Sequence, residues 1–351
     1  MFFASDNAGP AHPQVMDALI RANEGYRGGY GADAEMVEVT WLIRETFEAP
    51  EAAVYLVGTG TAANVILLAT LANPWDTIFC TPMAHIHEDE CNAPEFYSGA
   101  KLTLVPSENA KMTPDALRAA LEAEEVRGVH GPQRGPVSLT QATEKGTIYS
   151  LEEIQALTAV AGAFGCKTHM DGARFTNALV SLDCTPAEMT WKAGIDAVSF
   201  GGTKNGLLGV EGCIIFDPKL AWEFELRRKR GGHLFSKHRY LSAQMLAYLT
   251  EDLWLDMART ANARTAELVA GLSALPQVGL LYQPQANVTF ARFPRRDHKR
   301  LLDAGAHYYI WDGTADEGDP DALLTARFVT DWSATEASIQ TFLDHFTNED
   351  R

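Results

Sequence analysis

Between residues 50 and 220 the chain alternates short apolar runs with helical patterns. Apolar runs at Ala53–Val57, Thr77–Cys80, Leu102–Val105, Val137–Leu139, Cys166–Met170, Ala197–Phe200 and Cys213–Phe216 read as strands. Between them lies a helical stretch at Ala62–Leu71. A second helix opens at Thr113, an N-cap followed by Pro114, and runs to about Glu125. A third opens at Ser150, which forms a capping box with Glu153, and runs to about Phe164. Strands alternating with helices predict an α/β layer with a largely parallel sheet. Right-handed crossovers then set the strand C-termini along one edge, where ligands bind.

After Pro218 the texture changes. Helical patterns run over about Lys219–Arg228 and Ser242–Leu275, then apolar runs follow at Val278–Tyr282, Val288–Phe293, Tyr308–Trp311 and Thr325–Thr330. A last helix is expected over Thr335–Phe346. This predicts a smaller α+β domain joined by one long helix, with a short helix at Pro13–Asn23 packing against it. The expected division is an N-terminal segment (1–30), a large domain (31–240) and a small C-terminal domain (241–351).

Composition narrows the partners. The 351 residues are 46% hydrophobic and 21% charged, which suits a folded protein with a large core. The formal net charge of -17 argues against nucleic acid and anionic lipid as partners. One cationic run, Arg227-Arg228-Lys229-Arg230, opposes that sign and reads either as a solvated helix end or as a local anion site. The five cysteines form no CxxC pair, so neither a disulfide framework nor a metal site is readable. No secretory signal or membrane-span pattern is visible, so the cytoplasm is the expected compartment.

Three short segments carry candidate chemistry. Val57-Gly58-Thr59-Gly60-Thr61 joins a strand to a helix, whose free N–H groups and positive dipole end suit a phosphate. Alone it reads equally as a tight turn with a threonine cap. Asp171-Gly172-Ala173-Arg174 ends an apolar run. Its carboxylate can keep a ring nitrogen protonated, and Arg174 can bind a phenolate or carboxylate; a local ion pair is the plainer alternative. Gly201-Gly202-Thr203-Lys204 places one lysine among small residues past a strand. There the glycines leave room for a ring, Thr203 can donate to a phosphate, and a desolvated amine can lose its proton and form an imine; a surface lysine in a glycine-rich loop is the alternative. Taken together in this order, the three supply what pyridoxal phosphate requires. His85, after the strand ending near Cys80, can stack on a flat ring and take a proton from a substrate hydroxyl, with His87 as a rival.

These residues resemble the low-specificity L-threonine aldolases, of the aspartate-aminotransferase-like fold (fold type I) of pyridoxal-phosphate enzymes. Ala4-Ser5-Asp6-Asn7 looks like the family's SDN opening, and Tyr30-Gly31-Ala32-Asp33 is similar to its YGDD, with Ala32 in place of the first Asp. Thr59-Gly60-Thr61-Ala62-Ala63-Asn64 matches the phosphate loop, and Asp171–Arg174 the DGAR motif. The resemblance implies a seven-stranded, mainly parallel sheet. It implies Lys204 as the Schiff-base lysine, and Gly60, Thr61, His85, Asp171, Arg174 and Thr203 around the cofactor. Ser5, Arg174 and Arg327 would hold the substrate carboxylate. Lys229 would reach the phosphate of a neighbouring subunit, with residues 1–30 near the subunit interface, in a homotetramer built of dimers sharing active sites. Many members carry a second histidine in an NTH-type loop; here the loop reads Gln141-Ala142-Thr143-Glu144, and His130 or a water is the expected substitute. The expected reaction is retro-aldol cleavage of L-threonine, L-allo-threonine or phenylserine to glycine and an aldehyde, with His85 as base. A β-eliminating lyase, a dehydratase, an aminotransferase or a non-catalytic cofactor-binding protein are the other readings.

Overall fold

The computed structural model describes residues 1–347. Its larger sheet has seven strands, interrupted in sequence by a small hairpin: β1 (Ala53–Val57), β2 (Asp76–Cys80), β3 (Lys101–Leu104), the hairpin β4 (Ser107–Glu108) and β5 (Lys111–Met112), then β6 (Gln133–Thr140), β7 (Thr168–Gly172), β8 (Ala197–Gly201) and β9 (Glu211–Ile215). The spatial order is β1-β9-β8-β7-β6-β2-β3. The four neighbours β8, β7, β6 and β2 run parallel, as does β3, while β9 runs antiparallel to both β8 and β1. The alternating pattern therefore produced the mainly parallel sheet it predicts.

Period-two alternation divides the strand residues between two apolar layers. Val54, Leu56, Val137, Leu139, Met170, Val198 and Ile214 face one core, shared with the helices Ala34–Thr46 and Leu151–Ala163. Ala53, Val57, Ala197, Cys213 and Ile215 face the other, covered by the helix Gly60–Leu71. That helix is buried all along from Ala62 to Thr70, which explains why it is apolar on every side rather than striped. Both predicted caps form. The Thr113 side chain accepts from the Ala116 amide, and Ser150 and Glu153 bond reciprocally. Each such cap contributes about 1 kcal/mol.

The four-stranded sheet has the order β10-β11-β13-β12, with β10 (Gly279–Leu280), β11 (Val288–Pro294), β12 (Tyr309–Ile310) and β13 (Leu323–Val329) all antiparallel. Its core joins Phe293 and Phe328 to Phe342 of the last helix and to Phe3. The Phe3 amide donates to the His307 carbonyl at 2.7 Å and its carbonyl accepts from Val329 at 2.8 Å. These bonds pin the start of the chain beside β13 and so fix where Ser5 and Asp6 stand.

One expectation fails. The single helix predicted over Ser242–Leu275 is two helices, Arg239–Leu249 and Leu253–Ser273, parted where Glu251 and Asp252 take left-handed φ values of 54° and 57°. Leu249 and Leu253 are both buried and four residues apart, so the apolar period runs straight through the break and conceals it. The helix Pro13–Ala22 packs on the first of these two through Ala18, Ala22 and Ala243.

Candidate active site

The parallel strands β8, β7, β6 and β2 bring their C-terminal ends to one edge. Asp171 stands at the end of β7, buried. Its Oδ1 accepts from the Ala173 amide at 3.0 Å and its Oδ2 from Asn64 Nδ2 at 2.8 Å. The same Asn64 nitrogen donates to Glu90 Oε1 at 2.9 Å, and Asn64 Oδ1 accepts from the Ser199 hydroxyl at 2.8 Å. Glu90 Oε1 lies 2.8 Å from His85 Nδ1. Acceptor atoms of His85, Glu90 and Asp171 all fall within 4.8 Å of one another. The hydrogen bond to Glu90 raises the His85 pKa against the opposing effect of burial, with Asp171 adding to the rise. His87, the rival, is exposed and lies 4.0 Å from Glu88.

Lys204 follows β8 in a short 3-10 turn, Thr203–Asn205. Burial, and then the nearby Arg174 guanidinium, lower its pKa, while Asp6, Asp171 and Glu211 oppose the shift. A lowered pKa gives more of the neutral amine that a carbonyl condensation needs. Glu211, on β9 beside Gly201, is buried; its Oε2 accepts from the Gly202 amide at 2.8 Å. Gly201 and Gly202 do not leave room for a ring, as the sequence suggested. A Cβ on Gly201 would collide with the carbonyls of Gly172 and Ala173, and one on Gly202 with Leu207 and the Val210 carbonyl. They are glycines because backbone passes against backbone. Gly58 and Gly60 are the open positions, with nothing near a Cβ built on either. There the Thr59 hydroxyl caps the helix Gly60–Leu71 by accepting from Ala62 at 3.1 Å, with Thr61 in its first turn.

Arg174 lies close enough to Lys204 and to Arg327 to repel both. Arg174 donates through Nε and Nη2 to the two oxygens of buried Asp6, at 2.7 and 2.9 Å, and Asn287 adds a third bond to Asp6 at 3.0 Å. Burial pulls the Asp6 carboxyl upward, but Arg174 and Lys204 outweigh it and hold the pKa below 3.8. Arg327 lies in β13 with one long contact, Nη1 to the Ala4 carbonyl at 3.4 Å. Burial, and then repulsion from Arg174, bring its pKa down to about 10. Two neighbouring guanidiniums, one with its fork largely unfilled among the described residues, form a ready site for a carboxylate. Ser5 is adjacent in sequence, its hydroxyl accepting from the Asn7 amide at 3.1 Å.

Two expected residues stand elsewhere in this chain. Lys229 is exposed at the end of the helix Ala221–Arg230, with its amine 5.0 Å from the centre of the Tyr30 ring. His130 is a correction. It sits exposed in the turn before β6, at the opposite edge of the sheet from Asp171. The eight residues of β6 hold it roughly 26 Å from the site edge, so it cannot replace a histidine there. Residues that sequence reasoning passed over are Asn64, Glu90, Glu144, Asp6 as the partner of Arg174, and Glu211. Two of them carry a visible signal: Asn64 and Glu211 are lone polar residues in otherwise buried apolar runs.

The surroundings fit pyridoxal phosphate on one observation above others. Among the described residues the Lys204 amine makes no hydrogen bond and no ion pair, yet it is desolvated and lies one strand from a buried carboxylate held by two donors. Residues 3–294 match the family model described as beta-eliminating lyase. A low specificity L-threonine aldolase from a Pseudomonas species is 38% identical over 96% of this chain and 94% of its own length. That of Pseudomonas aeruginosa is 40% identical over 94% and 92%. A Leishmania major threonine aldolase structure superposes with a TM-score of 0.91 at 26% identity, covering 99% of this chain and 98% of that one. A Sphingomonas wittichii serine palmitoyltransferase shares the fold, with a TM-score of 0.71 at 14% identity over 99% of this chain and 86% of that one. The same lysine, carboxylate and paired arginines thus sit in a chain that belongs to the beta-eliminating lyase family and, within it, to the low-specificity L-threonine aldolases.

Proposed function

We propose that this protein is a carbon–carbon lyase that cleaves L-threonine, L-allo-threonine or a related β-hydroxy-α-amino acid to glycine and an aldehyde, with pyridoxal phosphate attached at Lys204. The observation that carries this reading is the desolvated Lys204 amine, without a partner among the described residues, one strand from Asp171. Bound there, the cofactor supplies an electron sink for the pair left on Cα when the Cα–Cβ bond breaks. Asp171, oriented by Asn64 and the Ala173 amide, would keep the ring nitrogen protonated. His85 would lie against the ring face, held by Glu90. Gly60, Thr61 and Thr203 would take the phosphate at the helix N-terminus. Arg327, with Ser5 and the remaining edge of Arg174, would clamp the substrate carboxylate.

Lys229 from a second copy would complete the phosphate site, which supports a dimer at least and a homotetramer of such pairs in the cytoplasm. No helix of the described residues is long and apolar enough to cross a membrane.

The test is a product assay with L-threonine, L-allo-threonine and phenylserine. Acetaldehyde or benzaldehyde with stoichiometric glycine is expected. Lys204→Ala should lose at least on the order of 10³-fold in rate together with the imine absorbance band. Ammonia with a keto acid as products would overturn the proposal in favour of elimination.

A further inference from the structure

Among the described residues the Lys204 amine has no partner of its own, so the backbone that carries it sets its place. That backbone is the three-residue turn Thr203–Asn205, which starts two residues past the end of β8 at Gly201. The sheet does not hold it alone. Tyr248, on the helix Arg239–Leu249, donates its phenol proton to the Gly201 carbonyl at 3.1 Å. The same oxygen accepts from Asn205 Nδ2 at 2.8 Å and lies 3.1 Å from the Thr176 hydroxyl. A phenol has one proton to give and can accept twice, so Thr176 is the donor of that third bond. Gly201 stands before Lys204 and Asn205 after it, and Thr176 follows Arg174 by two residues. One oxygen therefore joins both ends of the lysine turn to the helix that follows β7. Gln244, one helical turn before Tyr248 on the same face, accepts from the Leu208 and Gly209 amides at 2.9 and 3.1 Å. From the opposite strand, Glu211 takes the Gly202 amide at 2.8 Å.

Packing alone does not call for this hydroxyl. The Tyr248 ring is fully buried, with the Phe200 and Trp254 rings 5.8 and 6.3 Å away, and a phenylalanine would fill the same space. A buried hydroxyl costs stability unless it is bonded, and two of its three bonds bracket Lys204. Burial also lifts the phenol above its ordinary pKa, against the Thr176 and Asn205 bonds, so the proton stays available to Gly201. Resting on the cofactor reading above, we propose that Tyr248 is a positioning residue for Lys204: its hydroxyl ties the two ends of the lysine turn and aims the amine at the aldehyde of pyridoxal phosphate. Attachment joins the amine nitrogen to the aldehyde carbon and releases one water, so it depends on where one atom stands. Noncovalent binding of ring and phosphate rests on other residues, Asp171, His85 and the start of the helix Gly60–Leu71. Loss of the hydroxyl should separate the two.

The test compares two ligands on the apoprotein. Pyridoxal phosphate can attach to Lys204, whereas pyridoxamine phosphate, with an amine in place of the aldehyde, can only bind noncovalently. In Tyr248→Phe the rate of attachment, followed by the imine absorbance band and by borohydride reduction with mass mapping of Lys204, should fall about 10–100-fold. The dissociation constant of pyridoxamine phosphate should stay within about threefold of wild type. Tyr308→Phe removes a phenol that bonds His298 at 3.1 Å in the small-domain core, and should leave both measurements within about threefold. Asn205→Ala, which cuts the tie on the far side of the lysine, should show the same split at smaller size. It carries the test if Tyr248→Phe does not fold. Attachment within about threefold of wild type, a parallel weakening of both ligands, or the same split in Tyr308→Phe would each overturn the assignment. Wild-type protein that gives no reduced adduct at Lys204 would overturn the cofactor reading itself, and this proposal with it.

Discussion

At the ring end of the site, Asp171, Asn64, Glu90 and His85 are joined in one hydrogen-bonded chain, three of them buried and each bonded within the same polypeptide. At the proposed phosphate end, Gly58 and Thr59 are exposed, the space around Gly58 and Gly60 is open, and the cations of Arg227–Arg230 are engaged elsewhere or face solvent. Arg227 pairs with Glu223, and buried Arg228 lies over the Tyr55 ring and donates to the Leu56 carbonyl. The contrast follows from what each end must do. A charge that tunes a ring nitrogen has to be fixed before the cofactor arrives, because reorienting dipoles afterwards would cost the stabilisation they provide. A phosphate brings its own charge and needs only accessible N–H groups and a cation that can approach.

Substitutions at the two ends should therefore differ in kind as well as size. The largest effect is expected for Asp171→Asn, which keeps the shape and removes the charge. Its kcat should fall on the order of 10³-fold while a thermal melt of the apoprotein moves little. A near-normal rate would break the distinction.

Next comes Arg174→Leu, which strands Asp6 in a buried setting and should destabilise the fold by about 3–5 kcal/mol in urea unfolding. Its pH signature follows from the sign of the shift. With Arg174 present, the Asp6 pKa lies below 3.8, so the stability it contributes is present above that value and is lost as pH falls through the folded pKa. Without Arg174, burial dominates and the pKa rises above 3.8, so the variant should instead lose stability as pH climbs from acid toward neutral. Adding Asp6→Asn should restore part of the loss, as coupled neighbours do.

The smallest effect is expected for Lys229→Ala at the open end. It should weaken pyridoxal phosphate binding by about tenfold, more at low than at high salt, without changing the apoprotein melt. Unaltered cofactor affinity would show that the phosphate end is complete without it.

Much of the ring end was readable because local patterns and single residues mark it. The strand runs ending at Cys80, Met170 and Phe200 locate the edge, and Asp171 and Lys204 each follow such a run. Glu144 was not readable as a neighbour of His85. In sequence it is one acidic residue in a polar loop, where a charge normally faces water; only the parallel pairing of β6 between β7 and β2 sets it against His85 and away from solvent. His130 erred in the opposite direction. It lies only eleven residues from Gln141 in the sequence, yet β6 between them carries the two to opposite edges.

The amino-acid sequence by itself determined the elements that depend on neighbours a few residues away: the alternation of strands and helices, the Thr113 and Ser150 caps, and the small residues opening the helix at Gly60. Those rest on side-chain period and on hydrogen bonds within one turn. Tertiary structure alone decided the reversal of β9, the break at Glu251–Asp252, the clasp of Arg174 on Asp6 across 168 positions, and the burial that moves the pKa values of Lys204 and Glu144. Each of these depends on which distant groups exclude water from a given atom, and desolvation is set by the packed whole rather than by any segment.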